Sequence, residues 1–448
     1  MSGVIGIYSR NNNNIPQITY YGLYALQHRG QVSCGMAINN NGFIDYHKGL
    51  GLIHEVFSQE LFERFMGNMA IGHVRYASYH EGNGLDNILP LTCGYKKGAL
   101  ALAFDGMMVN SFLLKEKLQE EGIIFQSDLD AEVIARLIAK YSHMSFEEAV
   151  TRALSEIKGS YSLVIMTQDR LIGARDPFGL KPLALGKLRD DYVLASESCA
   201  FDTIGAEFIR DIEPGEIVSI DEKGVKVLEK KPKERRHCLF EFIYFARPDS
   251  YLDGKSVYKA RVEAGKELFR EHPTEADLVI GAPDSGIEAA IGYAEESRIP
   301  YGEGLVKNGY VGRTFIQPTQ QLREMGVRIK LNALRESIKG KRIILVDDSI
   351  VRGTTIKRTL KILRDAGAKE IHVRIASPPV TNPCYLGIDT PAKENLTAAN
   401  MTVEEICKEI GADSLYYLSL EGLMKAVGGN MRFCTGCFDG NYPVEKMR

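Results

Sequence analysis

The stretch "KRIILVDDSIVRGTTIKRTLKILRDAGAKEIHVRIAS", residues 341–377, decides the fold of the half of the chain that contains it. Ile343 to Val346 is a short apolar run of the kind a strand buried on both faces requires. It ends in two adjacent carboxylates, Asp347 and Asp348, and passes through Ser349, Arg352, Gly353, Thr354 and Thr355 into a helical pattern that stops at Gly367. A second apolar run follows, so the segment reads strand, tight loop, helix, strand, a βαβ unit of a mostly parallel sheet. "ADLVIGAPDSGIEAAIGYA", residues 276–294, repeats the order of strand, loop and helix.

The loop after Val346 has the chemistry of an anion cradle. A helix N-terminus offers unpaired backbone N–H groups, and a glycine with several hydroxyls completes the pocket. The two acids cannot bind phosphate. They suit sugar hydroxyls or a divalent cation, so the loop asks for a sugar that carries phosphate. A solvated turn with an acidic N-cap would explain one aspartate but not the whole run.

Outward from this unit, the 448 residues exceed one ordinary hydrophobic core, and two domains are expected. Hydrophobic content of 44%, charged content of 25% and a net charge of −3 describe an ordinary globular composition, with no electrostatic draw towards nucleic acid. The start lacks a basic stretch followed by an apolar one, and no apolar run approaches the ~18 residues of a membrane span. A cytoplasmic location is expected, with no membrane partner. The eight cysteines then read as thiols or metal ligands before they read as disulfides.

The first half alternates short strands ("MAIGHVRYAS", "ALALAF", "YSLVIMTQ", "RLIGARD", "DYVLASES") with helices such as "AEVIARLIAKY" and "SFEEAVTRALSEI", the latter opened by a capping box from Ser145 to Glu148. The charged run "EKKPKERR", 229–236, reads as a solvated linker and divides the chain into domains 1–231 and 232–448. At the other end, "MSGVIGIYSRN" exposes Ser2 once Met1 is removed, a hydroxyl beside a free α-amine, which is one recognised nucleophile arrangement.

The string "ILVDDSIVRGTT" resembles the phosphoribosyl pyrophosphate signature of the type I phosphoribosyltransferases, with "APDSG", 282–286, as its companion loop. The resemblance implies that Asp347 and Asp348 hold the ribose hydroxyls, and that Ser349, Arg352, Gly353, Thr354 and Thr355 hold the 5-phosphate. It implies that Asp284, Ser285 and Gly286 face the pyrophosphate, with Mg²⁺ near Ser285, Asp347 and Asp348. The segment 307–341 looks like that family's flexible loop, bringing Arg313 and Lys330, with Thr314 and Gln317 at matching positions.

"FEFIYFARPDS", 240–250, narrows the resemblance to the amidophosphoribosyltransferases, glutamine-dependent enzymes of purine synthesis. That family joins an N-terminal-nucleophile glutaminase of αββα build to a type I phosphoribosyltransferase with a mostly parallel sheet. "LQHRGQ", "GHVRYAS", "FDGMMVN", "DAEVI" and "RDPFGLKPL" agree with its first half. By resemblance Arg75 holds the glutamine α-carboxylate and Asp130 its α-ammonium. The expected reaction displaces pyrophosphate by an amine, ammonia classically drawn from glutamine, to give phosphoribosylamine. A homo-oligomer is expected, and purine nucleotides are a further ligand class of the family.

Three positions depart from the pattern. Ser2 stands where the family places a catalytic cysteine, and a hydroxyl needs far stronger base assistance than a thiol. Asp105-Gly106 stands where the family has an Asn-Gly oxyanion pair, and a carboxylate has no proton to donate. Gly309 replaces a basic residue next to Lys307, removing a phosphate contact of nucleotide feedback. Two coordinated changes in one site point to a natural member with a silent or altered glutaminase. Two other readings stay open: a non-catalytic sensor of phosphoribosyl pyrophosphate or nucleotide, and a Ser2 amidase for another substrate.

Cys238, Cys384, Cys434 and Cys437 match the four cysteine positions of the family's iron-sulfur branch, which implies a [4Fe-4S] cluster. A Cys₄ zinc site is the chemical alternative.

Overall fold

A computed structural model describes residues 2–10, 14–40, 42–76, 87–309, 331–429 and 431–447. The first half is built on two antiparallel sheets of seven and six strands. Ser2–Tyr8 runs through the larger sheet between Met69–Arg75 and Asp191–Ala195, and all seven of its residues are buried.

Its period-two alternation explains why. Ile5 and Ile7 pack on one side with residues of the helices Ile15–Ala25 and Cys199–Ile204, while Val4 and Tyr8 face Ala101, Val164 and Leu171 of the second sheet. The far face of the second sheet is covered by Asp130–Lys140 and Phe146–Ser155. The result is the four-layer αββα order the resemblance implies. Ser145 caps its helix as read, its side chain accepting from the Glu148 N–H while the Glu148 carboxylate returns to Ser145.

In the second half the strands Leu278–Gly281, Arg342–Asp347, Glu370–Ile375 and Ser414–Tyr417 form one sheet in that order, every pair parallel. Helices Val257–Glu271 and Ile287–Ser297 cover one face, and Thr354–Asp365 and Val403–Ile410 the other. Among the described residues no helix is long and apolar enough to cross a membrane.

The charged run near residue 231 is not a freely solvated linker. Its side chains at 231–234 are exposed, but the backbone N–H groups of Lys231, Lys233 and Arg236 donate to the carbonyls of Gly215, Pro177 and Phe178. Charge predicts where side chains point, and these backbone bonds are a separate matter. Beyond the run, His237–Cys238 pairs in parallel with Phe433–Cys434, tying the C-terminal segment to the start of the second half.

Candidate functional site

Parallel strands deliver their carboxyl ends to one edge, which is where open α/β sheets bind ligands. Here the neighbouring strands Leu278–Gly281 and Arg342–Asp347 bring "APDSG" and "DDSIVRGTT" together. The Ala282 N–H donates to the Val346 carbonyl at 2.8 Å, and the Ser285 hydroxyl donates to Asp348 Oδ1 at 2.6 Å. Ser349 donates to Asp348 Oδ2 at 2.6 Å, so Asp348 is a buried post between two loops. Gly286 passes so close to the neighbouring strand that an added Cβ would lie 2.5 Å from the Val346 carbonyl oxygen.

Asp347 is pushed well above the usual carboxylate range by burial and then by the charge of Asp348. Gly353 opens the helix Thr354–Asp365 with φ +69°, and Thr354 and Thr355 stand exposed in its first turn. Asp284 is engaged by Lys307. Arg313 and Lys330, with Thr314 and Gln317, lie outside the described residues.

In the first half, Ser2 is the register partner of Arg75, and its carbonyl accepts from Arg29 Nε at 2.8 Å. Burial lowers the Arg75 guanidinium to a pKa of about 10, opposed by the charge of Asp130. Asp130 accepts from the Met108 N–H at 2.7 Å and is raised by burial against that bond and Arg75. Ser2 and Arg75 thus lie side by side on paired strands, and Asp130, at the start of its helix, is tied through the Met108 N–H to the strand that carries Asp105 and Gly106.

Asp105 is completely buried, its Oδ2 3.3 Å from Arg29 Nη2 and its Oδ1 3.6 Å from Lys181 Nζ. Burial acts to raise its pKa, but Lys181 and then Arg29 outweigh burial and hold it below the ordinary carboxylate value. The group therefore stays ionised at neutral pH.

Arg29 is the residue that sequence reading quoted within "LQHRGQ" without assigning a role. Its guanidinium meets Glu197 at 2.6 Å and both oxygens of Glu241 at 2.9 Å, and it lies over the Phe245 ring at 4.6 Å. Glu241 belongs to "FEFIYFARPDS", so this ion cluster joins the two halves. Glu241 and Asp105 sit in quoted family motifs, whereas Glu197 lies in a stretch read only as a strand.

His73, fully buried in the same sheet, donates from Nε2 to the Phe104 carbonyl at 2.9 Å, and burial foremost lowers its pKa to about 3. An unfolded histidine titrates near ~6.5, so below that pH the unfolded chain binds the extra proton and the folded state loses stability. Acidification from pH 7 to 5 should cost about 2 kcal/mol through this group. Denaturant midpoints at the two pH values should show the loss, and His73→Gln should flatten it; an unchanged slope in the variant refutes the assignment.

The four cysteines named above are free thiols brought close together. Cys238 pairs in register with Cys434, and the Cys384 sulfur accepts from the Leu386 N–H at 3.3 Å. Burial, then the charges of Cys238, Cys384 and Cys434, push the Cys437 thiol well above its ordinary value. Cys434 is pushed up to about 12, chiefly by burial. Among the described residues no three His, Cys, Asp or Glu groups stand at the spacing that would hold a metal ion.

These two sites on these two folds define a glutamine amidotransferase domain joined to a phosphoribosyltransferase domain. Residues 87–203 match the glutamine amidotransferase domain family and residues 248–384 the phosphoribosyl transferase domain family. The amidophosphoribosyltransferase of Archaeoglobus fulgidus is 50% identical, over 99% of this chain and 98% of its own length. That of Bacillus subtilis is also 50% identical, over 99% and 94%. A solved structure of the B. subtilis glutamine phosphoribosylpyrophosphate amidotransferase, complexed with ADP and GMP, superposes with a TM-score of 0.93 at 49% identity, covering 100% of this chain and 98% of that one. A second, described as the allosteric regulatory enzyme of purine biosynthesis, gives 0.94 at 49% identity, covering 100% and 97%. The chain belongs to the amidophosphoribosyltransferase family, a family of phosphoribosyltransferase enzymes.

Proposed function

We propose that the protein transfers an amine to phosphoribosyl pyrophosphate in purine biosynthesis, with ammonia as the working nitrogen source. The observation that carries this is the Ser285–Asp348–Ser349 junction, which locks two phosphate-type loops together beside a helix N-terminus. Ammonia attacks C1 of the ribose as the bond to pyrophosphate breaks, and the attacking nitrogen then loses a proton to solvent. Asp347 and Asp348 orient the ribose hydroxyls, Ser349 to Thr355 hold the 5-phosphate, and Asp284, Ser285 and Gly286, with Arg313 and Lys330, face the pyrophosphate. Mg²⁺ would sit by Ser285, Asp347 and Asp348, take its remaining oxygens from substrate and water, and neutralise the leaving group. With Gly309 open to solvent and Lys307 engaged by Asp284, nucleotide feedback lacks one of its contacts.

The glutaminase half is silent in this reading. Asp105 is held ionised where an oxyanion would form, and losing one donor there costs about 10²- to 10³-fold before repulsion is counted. Arg75 and Asp130 remain able to hold an amino acid.

The test is pyrophosphate release with Mg²⁺ and phosphoribosyl pyrophosphate. Ammonium should stimulate it strongly and glutamine scarcely. Ligand binding without ammonium-stimulated release would support the sensor, and rapid glutamate formation by the wild type would make Ser2 a working nucleophile.

The four thiols are assigned to a [4Fe-4S] cluster. Burial, and then the neighbouring sulfur charges, push the Cys238, Cys434 and Cys437 thiols up, so these ionise only around a cationic group. A single tetrahedral zinc, with Zn–S near about 2.3 Å, would draw its sulfurs to within about 4 Å of one another. The preference for the cluster rests on the match of the four cysteine positions to the family's iron-sulfur branch, and a bound group would cross-link the C-terminal segment, where Cys434 pairs in register with Cys238. Anaerobically purified protein should carry about four iron and four acid-labile sulfide per chain. Stoichiometric zinc in colourless protein would refute the cluster.

A further inference from the structure

Residues 376–402 connect the strand Glu370–Ile375 to the helix Val403–Ile410 and touch both halves of the chain on the way. Their first part lies on the first half, where the Leu386 carbonyl accepts from the Ser160 hydroxyl at 2.7 Å and the Gly387 carbonyl from Lys181 Nζ at 3.3 Å. Their last part, "ENLTAAN", 394–400, returns to the second half and runs beside the loop 348–353. Neither reading above uses it.

The contact with that loop is a backbone bond. The Thr397 N–H donates to the Val351 carbonyl at 2.9 Å, and Thr397 Oγ1 lies 3.4 Å from where a Cβ on Gly353 would sit, beside the residue that opens the helix Thr354–Asp365. In a trans peptide the carbonyl and the N–H point in opposite directions, so drawing the Val351 carbonyl towards Thr397 turns the Arg352 N–H the other way. Apolar packing fixes the segment on both flanks of the loop. Leu396, completely buried, belongs to the core that Val351 packs against, and Ala399 packs there too. Ala398 and Met401 pack against the other core, which holds Ile350 and Ile356. The Asn400 amide closes the turn by donating to the carbonyls of Lys393, Glu394 and Leu396 at 3.0, 3.2 and 2.8 Å.

We infer that Thr397 is a positioning residue of the phosphoribosyl site: its N–H pins the Val351 carbonyl outward and so keeps the Arg352 N–H turned inward, among the donors that receive the 5-phosphate. The inference rests on reading 349–355 as the 5-phosphate loop. An anion cradle works only when its N–H groups converge and its carbonyls are turned away. A carbonyl without its outer donor can flip with its peptide and present oxygen to the phosphate, which repels it. The donor that holds the Val351 carbonyl comes from another element, so the shape of the loop is not set by its own sequence alone.

The experiment uses the full-length protein and reads affinity by titration calorimetry for two probes: ribose 5-phosphate, which carries the 5-phosphate, and Mg²⁺-pyrophosphate, which lacks it. Thr397→Pro removes the N–H at the first residue of the short helix Thr397–Asn400, a place where proline fits, and Leu396 before it is already extended at φ −88° and ψ 116°. It should weaken ribose 5-phosphate about tenfold and leave Mg²⁺-pyrophosphate within about twofold, with KM for phosphoribosyl pyrophosphate raised in step and kcat little changed. Thr397→Ala, which keeps the N–H, should bind both probes as the wild type does. Asn400→Ala, an exchange at an exposed side chain, should loosen the turn and weaken ribose 5-phosphate about threefold, and it decides the matter if the proline variant fails to fold. Unchanged ribose 5-phosphate affinity in Thr397→Pro and Asn400→Ala, or an equal loss for both probes, would overturn the inference. A wild type that binds phosphoribosyl pyrophosphate without releasing pyrophosphate would instead overturn the transferase reading, and the ratio of the two probe affinities would still judge Thr397.

Discussion

Replacing Asp348 by asparagine lowers kcat/KM for phosphoribosyl pyrophosphate by about 10²-fold, with the fold retained. A hydrogen bond to a charged group is worth about 1.5–3 kcal/mol, and about 1.4 kcal/mol is a factor of ten. Asp348 is asked to hold a ribose hydroxyl while accepting from Ser285 and Ser349, both at 2.6 Å. The amide keeps the volume but replaces one acceptor oxygen by a donor and removes the charge, so one serine must turn from donating to accepting and the hold on the sugar weakens. Asp277→Asn is the matched control, since that carboxylate pairs with Arg342 at the amino-terminal end of the same sheet, away from the loops. An Asp348→Asn enzyme with wild-type kcat/KM would remove the ribose-binding role.

Arg29→Met should be strongly destabilising. It leaves Glu197, Glu241 and Asp105 facing one another in a site where all three are completely buried. Breaking a buried ion pair from one side costs about 3–5 kcal/mol, and here three carboxylates lose a shared partner. Calorimetry should find the midpoint lowered by about 5 °C. Since Glu241 lies in the second half, both halves should melt earlier and not the first alone. A shift of only about 1 °C would mean that the cluster relaxes by taking up protons or water.

The two predictions differ in how far the sequence anticipated them. Asp348 was legible because its whole environment is local: a strand, a pair of acids, a glycine and a helix within fifteen residues, a run whose period and punctuation are visible in one dimension. The strands around Ser2, the helix Asp130–Lys140 and the Ser145 cap were legible for the same reason. Arg29 was not, because it meets Glu197 and Glu241 across 168 and 212 positions of chain. No periodicity records such a meeting, and a charged residue read alone belongs on the surface. Lys181 and the pinned run after residue 231 were hidden in the same way, by contacts made across the fold. Asp105 stands between these cases. Its chemical misfit was visible at once, while the two cations that hold it ionised required three dimensions.

The crossing of residues 384–388 over the Asp105-Gly106 strand gives the first half a task apart from any chemistry of its own. Leu386 and Gly387 rest on Ser160 and Lys181, and Cys384 hangs from the same few residues. The first half is therefore the floor on which the second half's thiol-bearing turn is laid. Shedding it would leave that turn without support and Glu241 without its cation. Whatever its chemistry, the first half then serves as masonry, and an exchange at Ser160 or Lys181 would be felt in the thiol-bearing turn above it.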